Sequence, residues 1–264
     1  MDNIDKKVCI DSNEEAWNKD NYNAWVTRFG EPSEAIKKIA KDPIKTISHL
    51  HSSFGEVKGK KIMNLMGSNG TKAVALALLG AEVTVVDFSE ENKRYAIDLA
   101  RAGSVDIRYI VSDVLKLPKN EVKEQYDIVF AEMGILHYFS DLAPFMDMIY
   151  GLLKKEGIFV IRDFHPVSTK LISSRGSTAK IRKHKVTGDY FDESLEEKKV
   201  SYSKYSDGAE HGETVLLRKW NLGEIVTSVA QGGLTIKSLT EEPNRSSDTF
   251  DKGIPKTFIL VGKK

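Results

Sequence analysis

From about residue 60 to residue 165 the chain alternates short, continuously apolar runs with stretches whose apolar residues recur every three or four positions. KIMNLM, EVTVVD, DIRYIV, YDIVFAE and GIFVIRDF are runs of strand length, rich in valine, isoleucine and aromatics, and they predict five buried strands. Between them, TKAVALALLGA, the stretch from Ser89 to about Arg101, and the stretch from about Asp141 to Leu153 carry helical periodicity. Gly80 and Gly157 are the expected stop signals of the first and last of these helices. Strands alternating with helices of this length predict an α/β fold, with a parallel sheet covered by helices on both faces.

The flanks follow other patterns. Ser12-Asn13-Glu14-Glu15 reads as a helix start, and Trp17, Tyr22, Ala24 and Trp25 predict a short aromatic-rich helix ending near Gly30. A second helical region is expected from Ser33 to Ser53 with an interruption at Pro43. After Pro166 the alternation stops. KVTGDYFDES and KKVSYSKY predict strands of an antiparallel excursion within a charged stretch, followed by a helix over Leu222–Gln231. LTIKSLTEE and KTFILVGKK, with no helix between them, predict a C-terminal antiparallel hairpin. The expected organisation is a helical N-terminal lid over residues 1–57 and an α/β domain over residues 58–264, with a β-rich insertion at about 167–216.

Composition narrows the class. The 264 residues are 41% hydrophobic and 29% charged, as in an ordinary globular protein. The net charge of +1 gives no electrostatic case for nucleic acid or an anionic membrane as partner. The single cysteine, Cys9, excludes an internal disulfide and a cysteine-based metal cluster. No His, Cys or carboxylate spacing suggests a metal site, no apolar run has membrane-spanning length, and the N-terminus lacks a signal-peptide apolar region. A cytoplasmic protein is expected.

Candidate chemistry gathers at one edge of the predicted sheet. In open parallel sheets, ligands bind beyond the carboxyl ends of the strands. The loop Met66–Gly70 follows the first strand. Its glycines let backbone approach a ligand, and the helix after it presents free N–H groups. Asp87 ends the second strand, where a carboxylate can accept both hydroxyls of a ribose; otherwise it is a solvent-facing turn aspartate. Asp113 follows the third strand in SDVLKLP, placed to accept from an exocyclic adenine amine or to cap a helix, with the Val114 N–H beside it. The fourth strand ends in AEMG and runs into ILHYF. A nicotinamide dinucleotide would set a pyrophosphate on the first loop and call for G-x-G-x-x-G, but position 69 is asparagine where the second glycine would fall.

Over about residues 58–165 these segments resemble the class I S-adenosylmethionine-dependent methyltransferases, with a looser likeness in the C-terminal hairpin. IMNLMGSNG resembles the family's first motif, an acidic residue followed by a G-x-G-x-G-type loop; VVDFS its ribose-binding motif; SDVLKLP its adenine-binding motif; YDIVFAEMGILHYFSD and LLKKEGIFVIRDFHP the segments around the fourth and fifth strands. The sequence departs from the pattern at Asn64, which replaces the acidic residue, and at Met66 and Ser68, which stand at two glycine positions. The resemblance implies a Rossmann-like domain. S-adenosylmethionine would be held by Asn64, Gly67, Ser68, Asn69, Gly70, Asp87, Phe88, Asp113, Val114, Glu132, Met133 and His137. That ligand has no phosphate, so a dense nest of glycine N–H groups is not required.

The expected activity is methyl transfer to oxygen or nitrogen of a small organic molecule. RNA methylation and turnover-free sensing of S-adenosylmethionine are the alternatives. His165, after the fifth strand, is the candidate general base, with a backbone-bonding turn residue as the other reading. His137 is expected beside the adenosine or capping a helix. Tyr22, Trp25 and Tyr190 are the candidate acceptor contacts, drawn from aromatic segments that also hold Phe29, Phe191, Tyr202 and Tyr205 and that can equally pack against the body. The basic run Lys180–Lys185 is a solvated face, or a site for an anionic substrate group or RNA.

Overall fold

A computed structural model describes residues 21–118, 120, 121, 123, 125–173, 185–199, 214–243 and 253–264. The apolar runs become β1 (Lys61–Leu65), β2 (Glu82–Asp87), β3 (Arg108–Val111), β4 (Tyr126–Glu132) and β5 (Leu153–Phe164), and the late pair becomes β10 (Thr235–Pro243) and β11 (Pro255–Lys263). These seven form one sheet in the order β3-β2-β1-β4-β5-β11-β10. The first five strands pair in parallel, and β11 runs antiparallel to both β5 and β10. The order reverses between β1 and β4, so the loops after these two strands open side by side.

Each face of the sheet buries its own set of side chains. On one, Met63, Leu65, Val129, Ala131, Phe159 and Phe258 pack against α7 (Ala143–Leu152) and α8 (Leu222–Gln231). On the other, Ile62, Val85, Phe130, Val160 and Ile259 pack against α1 (Asn21–Phe29), α2 (Pro32–Lys41), α4 (Ser48–Phe54), α5 (Thr71–Leu78) and α6 (Glu90–Ala102). Local chemistry sets the ends of these helices. Pro32 opens α2, Ser89 caps α6 by accepting the Asn92 N–H, and Asn221 with Glu224 forms a reciprocal capping box on α8. The expected interruption near Pro43 appears as a break into α3 (Pro43–Thr46) and α4, with Asp42 capping α3.

Two sequence expectations need correction. The helical segment before residue 58 packs on the sheet: Ile36, Ile39, Ile47, Leu50, Phe54 and Val57 are core residues, and Phe54 stacks edge-on against Phe130 at 5.1 Å. These apolar side chains cover a sheet face that would otherwise be exposed. Residues 1–20, including Trp17, lie outside the described residues.

The fifth strand begins at Leu153, directly after α7, rather than at Gly157. It absorbs an irregularity opposite Tyr126 and Ile128, with Glu156 at φ 68° and Gly157 so close to the Tyr126 carbonyl that a Cβ would lie 3.1 Å away. In the insertion, KVTGDYFDES is not one strand. Only Lys185–Val186 pairs, as β7, with β6 (Ile172–Ser173). Asp189 and Asp192 then accept the N–H groups of Phe191 and Ser194, so local turns outcompete a ladder. The next pair is β8 (Leu195–Lys199) with β9 (Thr214–Arg218), and Tyr202 and Tyr205 lie outside the described residues.

Candidate active site

The loop after β1 is a left-handed staircase. Met66, Ser68 and Gly70 have φ of 49°, 50° and 70°, so every second residue occupies the region that glycine enters most freely. The two departures from the glycine pattern therefore keep its backbone geometry despite their Cβ atoms. Gly67 cannot be replaced in the same way. A Cβ there would lie 2.6 Å from both Asn64 Oδ1 and Val85 Cγ1, and one on Gly70 would lie 2.5 Å from Ala96 Cβ. The Asn69 side chain accepts from the Thr71 N–H and hydroxyl, which starts α5, and the Tyr109 hydroxyl donates to the Ser68 carbonyl at 2.7 Å.

Ser68→Gly is expected to be neutral or stabilising by up to about 1 kcal/mol, because relief of left-handed strain offsets glycine's larger unfolded-state entropy. Ser68→Val should destabilise by more than about 1 kcal/mol. Urea denaturation of both variants checks this, and equal midpoints for the two would remove the strain argument.

Asp87 ties this loop to α6. Its Oδ2 accepts the Ser68 N–H at 3.0 Å, and its Oδ1 accepts the Ser89 N–H at 3.1 Å and the Asn92 side-chain amide at 3.0 Å. Burial pushes its carboxyl above the ordinary aspartate range, while the three donors pull it back. A carboxylate offers about four acceptor positions, so one remains on Oδ2. Phe88 follows, partly exposed. Trp25 donates from Nε1 to Asn92 Oδ1 at 2.7 Å, which extends the chain of bonds from α1 through Asn92 to Asp87.

At the end of β3, Asp113 Oδ1 accepts the Leu115 N–H and caps the short 3-10 turn Val114–Lys116. Asp113 Oδ2 is buried without a hydrogen-bond partner; the Lys116 ammonium stands 3.6 Å away. The cap and an open acceptor thus coexist in one side chain.

Past β4 the chain turns sharply through Met133 and Gly134, at φ 63° and 81°. Asp163, buried on β5, accepts the N–H groups of Gly134, Ile135 and Leu136 at 2.7, 2.9 and 3.0 Å, and the Met133 N–H donates to the Arg162 carbonyl. Glu132 pairs through Oε1 with Arg162 and through Oε2 with Lys72. Arg162 also reaches Glu242, which His49 approaches at 3.5 Å. Burial raises the Glu242 carboxyl, but Arg162 and Thr257 outweigh it and hold it below the ordinary value.

Beside the turn lies a cavity of about 220 Å³, lined by Leu136, His137, Phe164, Leu217, Lys219 and Trp220 among others. Trp220 donates from Nε1 to the Leu136 and Phe139 carbonyls, and the Arg218 guanidinium covers its ring at 3.6 Å. The buried Lys170 ammonium donates to the Asp192 and Lys219 carbonyls and so joins the insertion to this wall; burial lowers its pKa.

His165 does not fit the role of base. It is 2% exposed, its Nδ1 accepts the Val167 N–H at 3.1 Å, its Nε2 stands 2.6 Å from Glu241 Oε1, and its ring meets Phe258 edge-on. Both nitrogens are engaged within the hairpin side of the fold, so no lone pair is left for an acceptor. Burial lowers its pKa, against the pull of Glu241. A histidine whose folded pKa lies below its unfolded value near 6.5 adds stability that is complete above that pH and is lost as the pH falls toward the folded value. His165→Gln should therefore lower the melting temperature near pH 7.5 and narrow the gap to the parent as the pH falls to 5. Turnover should change by only a few-fold. A loss of turnover by 10²-fold with an unchanged melting curve would restore the base role.

The three aromatic contacts are also corrected. Tyr22 packs edge-on against Tyr95 beneath Arg94, with its hydroxyl on Asp98, and Trp25 is buried against α6. The Tyr190 hydroxyl accepts the Leu222 N–H at the start of α8. None of the three lines the cavity.

Residues 66–161 match the family model described as a methyltransferase domain. Over these residues the chain is similar to methyltransferase domains. Among relatives of this domain, a ubiquinone biosynthesis O-methyltransferase of Bordetella pertussis is 25% identical over 137 residues, 52% of this chain and 56% of that protein. One from Rickettsia bellii is 24% identical over 115 residues, 44% of this chain and 46% of that protein. The chain spans about half the length of the curated relatives it matches. The methyltransferase fold is shared with a putative S-adenosylmethionine-dependent methyltransferase from Listeria monocytogenes, at TM-score 0.63 and 19% identity over 85% of this chain and 99% of that one. It is shared also with magnesium protoporphyrin IX methyltransferase from Synechocystis with bound S-adenosylmethionine, at TM-score 0.58 and 13% identity over 100% and 98%. No helix among the described residues is long and apolar enough to cross a membrane.

Proposed function

We propose that the protein transfers the methyl group of S-adenosylmethionine to an oxygen or nitrogen of a small organic acceptor. The observation that carries this reading is the cavity of about 220 Å³ set against the turn after β4, on the edge where Asp87 and Asp113 keep acceptor positions open. Asp87 Oδ2 takes a ribose hydroxyl, and Asp113 Oδ2 with the Val114 N–H takes the adenine edge. The loop Met66–Gly70 lies along the amino-acid end. S-adenosylmethionine supplies a methyl carbon already activated by its sulfonium.

The chain's own residues contribute alignment and exclusion of water, which can lower a barrier by roughly 7–11 kcal/mol. Leu136, Phe164, Leu217 and Trp220 enclose the acceptor. His137 is a member of the lining, which supports assigning it to the acceptor side. The quinone-biosynthesis names of the relatives support a small organic acceptor, as does the formal net charge of +1, which offers little to a polyanion.

The test is incubation of the full chain with isotope-labelled S-adenosylmethionine and, separately, a metabolite extract or total RNA, followed by mass spectrometry. A labelled small molecule is the expected product. Label in RNA alone, or tight binding with no product from either pool, would overturn the reading in favour of RNA methylation or sensing.

A further inference from the structure

A charge is missing where the family pattern expects one, and another stands beside it. Position 64 carries asparagine in place of an acid, and the Asn64 side chain is enclosed beneath Gly67, so it offers no negative charge to a ligand's ammonium. Leu65 pairs with Ala131, so the chain leaving β1 at Met66 passes beside Glu132 at the end of β4. The Glu132 side chain is 5% exposed and bonded on one oxygen to Arg162. Its other oxygen pairs with Lys72, in the first turn of α5 just after Gly70, whose side chain is 33% exposed.

The charge count distinguishes the partners. Arg162 is one positive charge lying between two carboxylates, Glu132 and Glu242. Lys72 supplies the second, and it is the more exposed of these two cations, at 33% against 11% for Arg162. Were the Lys72 ammonium to swing away, an incoming ammonium could replace it on Glu132 with no change in net charge. The released Lys72 would then be free for a carboxylate. An α-amino acid carries both groups on one carbon.

We propose that Glu132 and Lys72 are the recognition pair for the amino-acid end of the methyl donor. Glu132 replaces the missing acid at position 64, and the Lys72–Glu132 ion pair of the free protein exchanges for two ion pairs to the ligand's ammonium and carboxylate. The inference rests on the S-adenosylmethionine reading above. It makes the pair a ligand clasp rather than a brace between α5 and β4, and it assigns amino-acid recognition to the end of β4 instead of the end of β1.

Two probes separate the clasp from the rest of the site: S-adenosylhomocysteine, and 5′-deoxy-5′-methylthioadenosine, which has the same nucleoside and thioether but no amino-acid end. Their dissociation constants are measured by calorimetry on the full chain, on Glu132→Gln and on Lys72→Met. Each variant should weaken S-adenosylhomocysteine by about 10-fold or more, the loss of one charge-assisted hydrogen bond. Methylthioadenosine affinity should change by less than about two-fold, so the preference between the ligands collapses. Equal weakening of both ligands, or no weakening of S-adenosylhomocysteine, would overturn the clasp. Lys72→Met, at a partly exposed side chain, reads the same preference if Glu132→Gln does not fold. A parent protein that binds neither nucleoside would instead overturn the cofactor reading itself.

Discussion

Asp87→Ala is expected to produce the largest loss of cofactor affinity of any single substitution at this site, together with a loss of stability. The carboxylate holds the Ser68 and Ser89 N–H groups and the Asn92 amide, all within 3.1 Å. Removing it leaves three donors without an acceptor in a buried setting, each costing about 1–3 kcal/mol, less whatever water re-enters the gap. A net destabilisation of about 2–5 kcal/mol follows. The ribose loses its charged acceptor, worth about 1.5–3 kcal/mol by itself, or roughly 10–150-fold in affinity. Further loss comes from the first loop, since Ser68 is no longer anchored, and from Asn92, through which Trp25 is coupled to the site. Urea denaturation and calorimetry with S-adenosylhomocysteine measure the two effects separately. Unchanged affinity in a folded variant, or tighter binding of NAD than of S-adenosylhomocysteine by the parent, would sink the assignment.

Asp163→Ala is expected to be the most damaging change on the acceptor side. One buried carboxylate accepts three successive N–H groups of the turn after β4, from Gly134 to Leu136. These donors lie in a left-handed turn and all bond to this one carboxylate, so the expected cost is again about 2–5 kcal/mol. At about 2–4 °C per kcal/mol for a chain of this size, the melting temperature should drop by roughly 4–20 °C. Because Leu136, His137 and Trp220 meet at this turn, its release should also open the cavity wall and lower turnover more than cofactor affinity. Asp163→Asn should fall between parent and alanine variant, since its one carbonyl oxygen satisfies some donors while its amide faces others. A melting temperature within about 2 °C of the parent for Asp163→Ala would show that the turn is held by other means.

The comparison of chain and structure has a consistent pattern. The sheet was legible because its signal is local: a run such as EVTVVD has strand length and apolar continuity wherever it is placed, and helices between such runs leave few ways to connect them. The placement of Asp87 and Asp113 at the ends of their strands was legible for a related reason. A polar residue at the end of a buried strand must emerge at one edge of the sheet, and the edge is determined by chain direction. His165 satisfied the same rule and misled, because the rule states where a side chain emerges and not what meets it. Glu241 and the Val167 N–H, which occupy its nitrogens, come from β10 and from the turn that follows.

The sequence by itself determined the alternating layers, the antiparallel hairpin, and the edge of the sheet at which Asp87 and Asp113 emerge. Each of these follows from patterns that are local to single strands and helices and from the order in which they occur. The tertiary structure alone decided that Asp163 holds the turn after β4, that Trp25 reaches Asp87 through Asn92, that Lys72 and Arg162 share Glu132, and that Trp220 rather than Tyr22, Trp25 or Tyr190 lines the cavity. Those contacts join residues far apart in the chain, where pairing is set by which side chains the sheet and its helices bring within about 3 Å in a buried space. An unsatisfied polar group there is costly enough that most of them find a partner, and the sequence pattern does not say which.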